Sequence, residues 1–180
     1  MTKDLSGKKI AILVDNYFEE VEMTEPLEAL LSAGATVELI AADSENGQVQ
    51  GLNHISKGMM FKIDKTLADA NINDYDALVL PGGAINADHL RTKPKAKDWV
   101  RVIVGKGKPL AVICHSPWIL VSAGLATGRR MTSFSSIQED MRNAGADWLD
   151  EEVVIDGTII TSRTPDDIPA FNKALASMIA

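Results

Sequence analysis

Pro109-Leu-Ala-Val-Ile-Cys-His-Ser-Pro-Trp118 decides how this chain folds. Leu110 to Ile113 form an unbroken apolar run, the pattern of a strand covered on both faces inside a parallel sheet. From Ser116 the sequence predicts a helix, with Ser116 as its cap, Pro117 at the first helical position and Gly124 closing it. Cys114, the sole cysteine, and His115 are thereby held between strand end and helix start. A thiol there faces unpaired backbone N–H groups and the positive end of the helix dipole, which favours thiolate; the same N–H groups can stabilise an oxyanion. The plain alternative is a small buried cysteine that fills space, and the position at the turn argues against it.

Ahead of this stretch, Ile10 to Val14 reads as a first strand and Ala77 to Leu80 as another, broken by Pro81-Gly82-Gly83. Between them, Met23, Leu27, Leu30 and Leu31 recur at helical spacing, Thr36 to Ala42 is a strand, and residues 43–65 suggest a small antiparallel excursion at the sheet edge. Residues 64–69 read as a short helical or capping segment. Asp88 and His89 fall in a loop or early helix, and Trp99, Val100, Ile103 and Val104 mark the next helix. After the central stretch comes Arg129 to Phe134, the latter part of which reads as a short strand, and Ser135 with Gln138 has capping-box spacing for a further helix. Apolar runs flank Asp156-Gly157, a hairpin signal, and a closing helix starts near Pro165. The expected fold is one α/β domain over residues 1–180: a three-layer sandwich with a mostly parallel central sheet, a nucleophile elbow and a β-hairpin.

Charge and composition narrow the function. The net charge of −7, from 25 acidic against 18 basic side chains, argues against a broad nucleic-acid surface. The N-terminus lacks the apolar core of a signal peptide and no run reaches membrane-spanning length, so a cytoplasmic location with no membrane partner is expected. One cysteine excludes an internal disulfide, the three histidines stand far apart, and no metal or phosphate-loop motif occurs; no metal and no cofactor are expected. The first strand–helix turn holds Asn16, Phe18 and two glutamates in place of a glycine-rich dinucleotide fingerprint.

Several side chains can serve Cys114. His115 is adjacent, able to act as base or merely to line a pocket. Glu19, Glu20 and Glu22 deliver carboxylates near the end of the first strand, and one pointing into the cleft is a candidate acid/base; periodicity does not choose among them. Gly83 is either a tight turn or half of an oxyanion hole. Among the other histidines, His89 beside Asp88 is the more interesting. Arg163 either binds an anion or pairs with an acidic side chain.

Leu80-Pro-Gly-Gly83, Ala111-Val-Ile-Cys-His-Ser-Pro-Trp118, Ser162-Arg-Thr-Pro-Asp-Asp167 and Asn16-Tyr-Phe-Glu-Glu20, in that combination, resemble the PfpI/ThiJ family of the class I glutamine-amidotransferase-like superfamily, with the Parkinson-associated protein a more distant relation. The resemblance implies a flavodoxin-like fold, Cys114 as nucleophile in a strained backbone conformation, and Glu19 as a pocket glutamate hydrogen-bonded to its sulfur. It makes His115 the base of the protease branch and Gly83, with the His115 N–H, the oxyanion hole. In that branch a neighbouring subunit's carboxylate orients the histidine, and Asp88 is its counterpart here, shorter than the glutamate used there. Ser116 stands where a glycine is often found and is expected to narrow the pocket.

The leading expectation is a stress-protective cysteine enzyme acting on small reactive aldehydes or early glycation adducts, of deglycase or glutathione-independent glyoxalase type. The alternatives are a PfpI-type intracellular peptidase acting on peptides, and a redox sensor or chaperone working through oxidation of Cys114. The family implies a homo-oligomer, either a dimer or a hexamer assembled from dimers.

Overall fold

The computed structural model describes residues 3–180; Met1 and Thr2, part of the N-terminus read above as leader-free, lie outside the described residues. The chain runs β1 (Lys9–Val14), β2 (Phe18–Glu19), α1 (Glu20–Ser32), β3 (Thr36–Ala41), β4 (Gln48–Asn53), β5 (Ser56–Lys62), β6 (Lys65–Thr66), β7 (Ala77–Leu80), α2 (Ala84–Thr92), α3 (Pro94–Gly105) and β8 (Leu110–Ile113). It continues through α4 (Trp118–Ala123), β9 (Arg130–Met131), α5 (Gln138–Asn143), β10 (Asp147–Trp148), β11 (Val153–Asp156), β12 (Ile159–Ser162) and α6 (Ile168–Ile179).

The main sheet has the order β11-β12-β8-β7-β1-β3-β6, parallel throughout except for β11. Because strand side chains alternate, each buried strand feeds two cores. Ile10, Ile12 and Val14 pack with Met23 and Leu30 of α1 and Phe171 and Leu175 of α6. Ala11 and Leu13 face the opposite way, toward Leu90, Trp99, Ile103, Ile119 and Leu120 of α2, α3 and α4. The result is the three-layer sandwich expected, with the flavodoxin-like arrangement. The strand order reverses between β1 and β7, and open parallel sheets gather their sites in the crevice beyond that point. Leu80 lies beside Val112 in the β7–β8 register, which brings the turns after residues 80 and 113 together.

Three local expectations change. The 43–65 excursion is not at the edge of the main sheet: β4 and β5 pair antiparallel and join β2 in a separate three-stranded sheet. Residues 64–69 form no helix; Leu67 N–H reaches Ala41 O at 2.7 Å, extending the β6 pairing, and Thr66 Oγ1 caps a turn at Asp69. Ser135 makes no capping box, and the chain enters α5 through a 3₁₀ turn at Ser135–Ile137 without a side-chain cap. The Asp156-Gly157 hairpin forms as read, with Gly157 at φ 60° supplying the left-handed turn.

Candidate active site

Cys114 follows β8 directly and adopts φ 64°, a conformation L side chains seldom occupy. The backbone is held there from three sides: Cys114 N–H donates to Ser162 O at 3.0 Å, Phe134 N–H donates to Cys114 O at 2.7 Å, and Ser116 N–H donates to Ile113 O at 3.1 Å. The expected elbow is present, but its helix differs. Trp118, Ile119 and Leu120 N–H groups bond to carbonyls three residues back, so residues 115–118 wind as tight turns, and α4 proper has only six residues. Gly124 closes it at φ 72° as expected.

Ser116 neither caps α4 nor lines the cavity. Its side chain is buried and donates to Pro81 O, tying the elbow to the β7 turn. The same turn is pinned by the buried Asn86, whose amide donates to Pro81 O and Gly82 O at 2.9 Å each while its oxygen accepts Asp15 N–H at 2.6 Å. Nothing in the sequence reading marked Asn86. Ser116→Ala is expected to lower stability by about 1–2 kcal/mol, since Pro81 O keeps its Asn86 bond, and thermal unfolding measures the loss.

Gly82 and Gly83 permit the approach of β7's turn to the sulfur. A Cβ on Gly82 would stand 2.5 Å from the Cys114 Cβ and 2.4 Å from Glu22 Oε2; on Gly83, 2.7 Å from Glu19 N. Gly83 also has φ 89°. The backbone N–H groups of Gly83 and His115 both interact with the Cys114 sulfur and favour its anion, so they converge where negative charge develops.

The carboxyl beside the thiol belongs to Glu22, not to Glu19. Glu22 is fully buried, one residue pair inside α1, and its Oε2 accepts the Gly82 N–H at 2.7 Å. Its Oε1 is buried without a hydrogen-bond partner in the protein, and the carboxyl and the Cys114 thiol perturb one another. Burial pushes the Glu22 pKa up to about 8, so near neutral pH it is mostly the protonated acid. Glu19 ends β2 instead: both its oxygens accept the backbone N–H of His54, at 3.3 and 3.2 Å, at the tip of the β4–β5 hairpin. The physical reason is local: β2 ends at Glu19 and α1 turns the chain before Glu22, carrying the later carboxyl inward with Met23.

His115 Nδ1 lies 3.1 Å from Cys114 Sγ and Nε2 lies 3.1 Å from Ser136 Oγ, while the ring stacks on Phe134 at 4.6 Å. Burial holds its pKa below the ordinary histidine value, keeping it neutral near pH 7 and able to take a proton. The thiol itself is driven up, by burial first and by the Glu22 charge next. Burial of the sulfur thus works against the activation expected from the helix N-terminus, while the Gly83 and His115 N–H groups favour the thiolate.

Cys114 opens on a cavity of about 730 Å³ lined among others by Glu19, Glu22, Gly83, His115, Phe134 and Asp166. Asp88 is exposed on α2 and does not line it. His89 Nδ1 stands 3.7 Å from the buried Asp15 carboxylate, and Arg163 pairs with Asp150 and Asp167, at 2.7 and 2.9 Å. Among the described residues no three His, Cys, Asp or Glu side chains cluster as metal ligands would, and no helix is long and apolar enough to cross a membrane.

Comparison with known proteins identifies the family and the fold. The family described as DJ-1/PfpI matches residues 8–178. General stress protein 18 of Bacillus subtilis is 39% identical over 178 residues, covering 96% of this chain and 98% of its own length. Deglycase PfpI of Pyrococcus furiosus is 40% identical over 171 residues, covering 95% and 99%. In the crystal structure of a two-domain protein from Anabaena variabilis, with DJ-1/ThiJ/PfpI-like and ferritin-like domains, the match has a TM-score of 0.88 at 36% identity and covers 94% of this chain and 47% of that one.

Proposed function

This chain belongs to the DJ-1/PfpI family, and we propose that it is a cysteine enzyme that converts reactive 2-oxoaldehydes, or the early adducts they form, to 2-hydroxy acids. One observation carries the reading: a strained Cys114 faces a neutral His115 at 3.1 Å and a buried, protonated Glu22, beneath the converging N–H groups of Gly83 and His115. The relative named a deglycase supports the substrate class.

In the proposed mechanism His115 Nδ1 takes the thiol proton as Sγ adds to the aldehyde carbon, and the resulting oxyanion is protonated to a hemithioacetal. Glu22 and His115 then move the aldehydic C–H proton to the neighbouring carbon through an enediol, which oxidises the first carbon to a thioester and reduces the second to an alcohol. Water cleaves the C–S bond, returning the thiol and releasing the acid. The sum is one oxoaldehyde plus one water, with no outside oxidant or reductant. Neutral Glu22 is suited to donating a proton near pH 7, whereas an ionised carboxylate would repel the thiolate.

The test is the wild-type protein with methylglyoxal at neutral pH, reading lactate. Lactate is expected to form catalytically and to cease after alkylation of Cys114 with iodoacetamide. Absence of lactate above the protein-free solution would overturn the reading.

A second reading, peptide hydrolysis, draws on the order Cys114–His115–Ser136: with Nδ1 receiving the thiol proton, Nε2–H donates to Ser136 Oγ. Ser136 is then the orienting group within the chain, and Asp88 joins only from a second copy. A burst of acylation on a peptide ester would favour it.

A further inference from the structure

The cavity above Cys114 is far larger than a two- or three-carbon aldehyde needs; about 730 Å³ is within the range that encloses drug-sized ligands. One of its walls is the tip of the β4–β5 hairpin, which contributes Leu52, His54 and Ile55. Ile55 is 97% exposed and Ile85, at the start of α2, is 44% exposed, yet both line this one cavity. Exposed apolar side chains that border a catalytic cavity are explained by what enters it.

The tip is a built feature. His54 takes φ 56°, and the Glu19 carboxylate holds its N–H. Further along, Glu20 Oε2 accepts Met59 N–H at 2.8 Å, and the Gln50 amide donates to Gly51 O, Gly58 O and Met59 O at 2.8, 3.0 and 3.1 Å. These bonds anchor the hairpin to the β2–α1 corner and across its bulge, so that Ile55 is presented from a fixed turn. Glu19 is accordingly a positioning residue, acting on the wall rather than on the sulfur.

We infer that the hairpin tip, through Ile55 together with Ile85, is a specificity wall that receives an apolar substituent on the substrate. Given the oxoaldehyde reading on which this rests, the favoured class is 2-oxoaldehydes bearing a branched alkyl group rather than glyoxal itself. The reacting aldehyde carbon reaches Cys114 while the alkyl group displaces water from the two isoleucines.

The experiment measures kcat/KM for glyoxal, methylglyoxal and isobutylglyoxal in the wild type, Ile55→Ser and, as a control remote from the cavity, Ile155→Ser. Each is followed by appearance of its 2-hydroxy acid. Intrinsic reactivity and hydration differ among the aldehydes but cancel when the isobutylglyoxal-to-glyoxal ratio of one protein is divided by that of another. Ile55→Ser is expected to lower this ratio about tenfold, the discrimination one apolar contact of this size supplies, and Ile155→Ser to leave it unchanged. Turnover with an Ile55→Ser ratio equal to wild type would overturn the wall while leaving the oxoaldehyde reading intact, as would an equal loss in Ile155→Ser. Absence of turnover on all three aldehydes in the wild type would overturn both.

Discussion

Cys114→Ala is expected to abolish lactate formation from methylglyoxal, to the level of the protein-free solution, without unfolding the protein. The sulfur is served by both the Gly83 and His115 N–H groups and is contacted by a base at 3.1 Å. Alanine keeps the Cβ that already fits beside Gly82 and keeps every backbone bond that pins residue 114. Removing one buried sulfur leaves a small void, so stability should change by no more than about 1–2 kcal/mol. Kinetics paired with a thermal melt separates the two quantities. Lactate formation by a folded Cys114→Ala protein would remove the thiol from the reaction and the proposed mechanism with it.

Glu22→Gln is expected to lower kcat about 10²–10⁴-fold, the usual worth of a positioned acid–base group, whereas Glu19→Gln acts on KM and substrate preference. Glutamine copies the shape of the protonated acid and can still accept the Gly82 N–H, but it has no proton to exchange with sulfur or substrate. Stability moves the other way. The Glu22 pKa rises from 4.5 in the unfolded chain to about 8 in the folded one, so the folded state holds an extra proton between those values. Wild-type stability relative to Glu22→Gln is therefore fully present below about pH 4.5 and is lost progressively as pH rises through 8, by on the order of a few kcal/mol. Denaturant titrations at pH 4, 6 and 8 check the slope. A pH-independent difference, or a larger kcat loss in Glu19→Gln than in Glu22→Gln, would return the central role to Glu19.

The exchange of Glu19 for Glu22 marks how far the sequence alone could be read. The apolar runs at 10–14, 77–80 and 110–113, with the breaks that follow them, located three neighbouring strands and the turns that build the site. The Asp156-Gly157 hairpin was equally plain. Each of those signals is local and strong. Glu19, Glu20 and Glu22, by contrast, straddle a strand-to-helix corner, where neither a period of two nor one of 3.6 applies across the junction. The buried face of α1 is Glu22, Met23, Pro26 and Leu30, whereas Leu31 is half exposed, so a search for leucine spacing alone points to the wrong stripe. Pro26, taken with the Met23 and Leu30 already in that spacing, puts Glu22 on the same side, one position before Met23. Asn86 and Ser116 escaped for a different reason: their partners are backbone carbonyls and an N–H brought near by tertiary folding, which leave no trace in side-chain pattern.

The backbone at residue 114 also bears on how such a chain changes over generations. Its φ of 64° is one that glycine adopts freely and cysteine does not. Selection on folding alone therefore pulls this position toward glycine, and only selection on chemistry holds a side chain there. In a descendant that no longer needs the reaction, the nucleophile is the residue whose loss the fold rewards, so a glycine at this turn in an otherwise intact copy would be the mark of a retired enzyme rather than of a damaged one.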